Sequence, residues 1–87
     1  MKIKDGYMLC KVGDSHIVIA TGNASMNLSG LTTLNETAAF IWEQLQTETD
    51  EAAVTQAVMS EFEVDESTAA QDVHALVMQF KEAGFLG

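Results

Sequence analysis

Up to about residue 34 the apolar positions come in short runs. Tyr7-Met8-Leu9-Cys10-Lys11-Val12 and His16-Ile17-Val18-Ile19-Ala20 are rich in β-branched or aromatic residues and are parted by Gly13-Asp14-Ser15. Such runs, broken by residues that suit a tight turn, predict a β-hairpin. Gly22-Asn23-Ala24-Ser25 reads as a loop, and Met26 to Leu34 as an irregular third strand with a bulge or bend at Gly30.

After residue 35 the spacing becomes helical. Asn35 suits an N-cap and Glu36 the positive end of a first turn, followed by a stripe of Ala38, Ile41, Trp42 and Leu45. A second helix starts at Thr49 or Asp50 and carries Val54, Ala57, Val58 and Phe62 at spacings of three and four. A third starts at Asp65 and carries Ala69, Val73, Leu76, Val77 and Phe80. Gly84 stands where a left-handed C-cap belongs, with Phe85 and Leu86 placed to fold back on the core. The expected core holds Ile41, Trp42, Leu45, Val58, Phe62, Leu76 and Phe80.

Three strands followed by three helices specify an α+β domain with a three-stranded antiparallel sheet. Helices on one face cannot cover both edges of that sheet. At least one edge is therefore either protected or used.

Length limits how this is built. Eighty-seven residues make one domain, 1–87, which must commit most of its 47% hydrophobic residues to a single core. One cysteine cannot close an internal disulfide, and no apolar run approaches the roughly 18 residues of a membrane span. A cytoplasmic protein without a membrane partner is the expectation.

Charge sharpens the picture more. Lys2, Lys4 and Lys11 outweigh Asp5 and Asp14 in residues 1–35, which carry +1. From residue 36 on, Lys81 alone opposes eleven acids, so the helical half carries −10 of a chain total of −9. Phosphate backbones need several Lys or Arg contacts even for non-specific binding, so nucleic acid is excluded as a partner.

The side chains that carry chemistry are sparse. Cys10 has no adjacent histidine and reads as a buried structural thiol. His16, His74 and one thiol do not make a three- or four-ligand metal site by any sequence spacing. The acids at Asp50-Glu51, Glu61-Glu63 and Asp65-Glu66 fall at helix starts and a connection, where they cap and solubilise. Asp14-Ser15 superficially matches the phosphopantetheine site of acyl carrier proteins, but it lies in a hairpin turn instead of at a helix start. Trp42 sits on an apolar stripe, and the methionines are scattered gap-fillers. No catalytic residue, metal or cofactor emerges, and a non-catalytic module is expected.

Several motifs taken in order point further. Leu34-Asn35-Glu36 precedes a helix with Ile41-Trp42; Phe62-Glu63-Val64-Asp65 forms a connection; Asp72-Val73 follows; Gly84-Phe85-Leu86 closes the chain. Together they make the chain resemble the PqqD-like family over essentially its whole length. The family's Gly-rich turn between the first two helices is replaced here by Gln46-Thr47-Glu48-Thr49. The resemblance implies a winged-helix-like domain that recognises ribosomally made precursor peptides and presents them to a modifying enzyme, often of the radical S-adenosylmethionine class. It implies that the leader of the precursor adds as a strand beside the third strand and packs on the third helix. By position those places are Leu31, Thr32, Thr33 and Leu34 on the strand, and Val73, His74 and Val77 on the helix. Strand addition suits a free edge, because backbone bonds give affinity and a flanking apolar groove gives specificity.

Two other classes compete. A winged-helix regulator shares the fold, but its recognition helix should be basic and this chain has no arginine. A structural module would pair its free edge with a second copy, giving a homodimer.

Overall fold

The computed structural model describes residues 1–20 and 32–86. Strands β1 (Tyr7–Val12), β2 (Ser15–Ala20) and β3 (Thr32–Leu34) precede helices α1 (Glu36–Gln44), α2 (Glu51–Phe62) and α3 (Glu66–Glu82). Most of the expected third strand, including Leu31 and the bend at Gly30, lies outside the described residues.

The hairpin turn is tighter than the three-residue Gly13-Asp14-Ser15 break suggested. Val12 pairs directly with Ser15, leaving a loop of Gly13 and Asp14 alone. Gly13 has φ +61° and Asp14 a negative φ, the pattern of a II′ turn with glycine at its first central position. That turn matches the right-handed twist of the strands it joins. The sheet is antiparallel with order β1-β2-β3, so β1 and β3 are its edges.

Each helix begins as its sequence requires. Asn35, Asp50 and Asp65 accept hydrogen bonds from the backbone N–H groups of Ala38, Ala53 and Thr68, at 2.8, 2.8 and 3.1 Å. The end of α2 is less ordinary: Glu63 adopts a left-handed φ of 52°, which turns the chain so that Asp65 can cap the next helix. The end of α3 closes with Gly84 at φ 83°, Phe85 N–H on the Phe80 carbonyl and Gly84 N–H on the Lys81 carbonyl. This is a Schellman motif, and it returns Phe85 to the core as expected.

The helices cover one face of the sheet. Val18 and Leu34 from the sheet meet Ile41, Trp42 and Leu45, Val54 and Val58, and the stripe Ala69, Val73, Val77 and Phe80. Trp42 is 2% exposed and packs edge-on to Phe80 and Phe85, with ring centroids 5.4 and 5.3 Å away. Phe85 in turn meets Tyr7 at 4.9 Å, so one aromatic chain ties α3, α1 and the C-terminal segment to β1. Phe62 and Leu76 are only partly buried, at the margin of this core. The N-terminal segment is fastened separately, by Ile3 N–H to the Leu45 carbonyl at 2.9 Å and Lys4 N–H to the Phe85 carbonyl at 2.7 Å.

Cys10 corrects an expectation. It is half-buried, and it lies on the sheet face turned away from the helices. Tyr7 and Leu9 point into the core margin, so alternation sends Met8, Cys10 and Val12 outward, where Met8 is 48% and Val12 59% exposed.

Candidate functional site

The hairpin turn fixes which backbone groups each edge offers. Residues flanking a two-residue loop bond to each other through both N–H and C=O, and the direction of these groups alternates along each strand. Val12–Ser15, Cys10–Ile17 and Met8–Ile19 are therefore the hydrogen-bonded pairs of β1 and β2. On β2, His16 and Val18 then direct their backbone groups toward β3, where they meet Leu34 and Thr32. Thr33, opposite Ile17, is left with N–H and C=O pointing out of the sheet. No backbone hydrogen bond to Thr33 from outside the sheet occurs among the described residues.

The edge at β3 thus presents one donor and one acceptor at Thr33, whose side chain is exposed on the outer face. Leu34 faces the opposite way and is 6% exposed, so it anchors the strand to the helices. Immediately after it, Asn35 caps α1, which terminates the edge and holds it in place.

The third helix contributes less than its sequence position implied. Val73 and Val77 are 0% and 1% exposed and belong to the core. His74 leaves the buried stripe on the flank facing α2, where its Nδ1 lies 3.0 Å from Glu51 Oε1. Leu76 follows two residues later, about 160° round the helix from His74, on the flank turned away from α2. It is partly buried against the core and so has apolar surface to offer. Sequence reasoning placed Leu76 in the core and Val73 and Val77 at the site; a helical stripe four residues wide does not reveal which member sits at its rim.

Electrostatics add little chemistry. Hydrogen bonds from the Thr68 side chain and backbone N–H hold the Asp65 carboxyl below the usual carboxylate range, as expected for an N-cap. A cleft of about 220 Å³ between α1 and α2 is lined by Glu36, Glu43 and Glu61 around Phe40 and Phe62. Among the described residues no three His, Cys, Asp or Glu side chains gather so as to hold a metal ion. None of the described helices is long and apolar enough to cross a membrane.

The chain is thus a small winged-helix-like α+β domain whose β3 edge leaves backbone groups unpaired among the described residues. The family model for coenzyme PQQ synthesis protein D (PqqD) matches residues 20–86, and the chain belongs to that family. Its fold is similar to that of TbiB1, solved in complex with the TbiA(beta) leader peptide, at 19% identity and a TM-score of 0.76. That match covers 99% of this chain and 94% of the other. It is also similar to lasso peptide synthetase B1 complexed with the leader peptide, at 26% identity and a TM-score of 0.73, over 97% and 93% of the two chains. No protein of curated function matches it in sequence.

Proposed function

We propose that this protein is a non-catalytic adaptor that captures the leader of a ribosomal precursor peptide by β-strand addition at β3. The outward N–H and C=O of Thr33 carry the reading, since they are the groups an added strand needs. Two similar folds bound to leader peptides support it. The leader pairs along Leu31 to Leu34, and an aliphatic side chain packs against α3 on the Leu76 flank. Val73 and Val77 support that wall from beneath, and His74 fixes α3 against α2. The captured peptide is presented to a modifying enzyme of the radical S-adenosylmethionine class, in the cytoplasm.

Each fully buried aliphatic anchor contributes up to about 1.5–3 kcal/mol, offset by the ordering of a flexible leader, so micromolar or somewhat tighter affinity is expected. Proline substitution tests the edge. Thr33→Pro deletes the outward donor and should weaken leader binding at least about tenfold with the fold retained by circular dichroism. Thr32→Pro deletes a donor used within the sheet and should instead lower stability. Unchanged leader affinity in Thr33→Pro would place the peptide elsewhere.

A further inference from the structure

The edge at β1 is as open as the edge at β3. By the same alternation, Tyr7, Leu9 and Lys11 point their N–H and C=O groups away from β2. Among the described residues no strand and no other backbone group meets them. Six residues of unpaired edge with Met8 and Val12 exposed form a template for another strand. We propose that its occupant is β1 of a second copy of this chain, paired antiparallel about a two-fold axis through Leu9.

The residues of β1 select that partner. Centring the pair on Leu9 sets Leu9 against itself and Tyr7 against Lys11 of the second copy, so all three outward residues fall in hydrogen-bonded pairs. No acid lies between Tyr7 and Val12, so no like charges are opposed. A two-fold axis perpendicular to the sheet keeps both inner faces on the same side. Lys11 of the second copy then lies beside the Tyr7 ring, above a cleft that Tyr7 and Leu9 share with Trp42, Glu43 and Gln46. Glu43 is the charged group of that cleft. A lysine brought there gains a carboxylate and an aromatic face, and symmetry repeats the contact. On the outer face Met8 meets Cys10 of the second copy, covering apolar surface that nothing else described covers. The acids that make the helical half repulsive lie at residue 36 and beyond, outside β1, whereas residues 1–35, which include β1, carry +1. Both β3 edges stay open, at the two ends of a continuous sheet.

Sedimentation velocity on the full chain, from about 10 µM to about 1 mM, tests the proposal in the range expected for a small edge interface. A concentration-dependent dimer is expected. Lys11→Glu changes an exposed side chain, sets it against Glu43 of the other copy, and should weaken association at least about tenfold. The double variant Lys11→Glu with Glu43→Lys should restore it. Met8→Cys should yield a covalent dimer on oxidation through Cys10 of the second copy, and Met8→Cys with Cys10→Ser should not. A monomer throughout the range, or a dimer indifferent to both charge variants, overturns the proposal. Leader affinity should be the same in all of these variants, so a protein that binds leader yet stays monomeric counts against this interface alone.

Discussion

In the helical half, each helix starts on a capping side chain, and α3 ends in two backbone bonds that bring Phe85 home. In the sheet half, backbone groups at Thr33, Tyr7, Leu9 and Lys11 point outward, and Met8 and Val12 expose apolar surface. The contrast extends to charge, with −10 on the helices and their connections and +1 before them. One half is closed and repels partners of its own kind; the other is open and nearly neutral. The helices supply stability, and the sheet offers what a second chain can use.

The largest test of that division is at the centre of the closed half. Trp42 joins the aromatic chain between α3, α1 and β1, and Trp42→Ala should cost about 3–5 kcal/mol in chemical denaturation. A near-neutral result would mean that the core is not organised round this side chain.

A smaller effect is expected where the two halves join. Asn35 follows β3 directly and closes α1, so Asn35→Ala should cost about 1 kcal/mol. Because the cap also ends the strand, the variant should loosen amide protection at Thr33 and Leu34 more than in α2. Uniform loss across the chain would show that the edge is not held by its cap.

The smallest is a pH effect confined to the closed half. The folded Asp65 carboxyl titrates below its unfolded value, so its contribution to stability is present above the unfolded value, near 4. It is lost as pH falls through the lowered folded value. Asp65→Asn keeps an acceptor for Thr68 and should flatten the stability profile below about pH 4 relative to the parent chain. A parallel profile in the variant would remove Asp65 from the account.

The closed half was also the legible half. Asn35, Asp50, Asp65 and Gly84 signal helix ends by local chemistry, and the structure uses all four. The open half depends on parity, which a single residue changes. Ser15 belongs to β2 and not to the turn; that fact sets the hydrogen-bonding direction of every residue in the sheet and selects Thr33 over Thr32. The turn also contains the missing signal, since glycine first in a two-residue loop is a recognised hairpin pattern. Cys10 was misplaced for a related reason: a strand apolar on both faces does not say which face is covered. On α3 the width of the apolar stripe hid the difference between Val73 and Val77, which are core, and Leu76, which reaches the rim.

The central claim is that extended peptide adds to the open half at β3, and an amide chemical-shift titration with the cognate leader tests it most directly. Perturbations should concentrate from Thr32 to Leu34 and on α3 around Val73 to Val77, with Thr33 among the largest and with α2 nearly silent. Shifts confined to α1 and α2 would contradict the site, and no shifts with any leader would contradict the function.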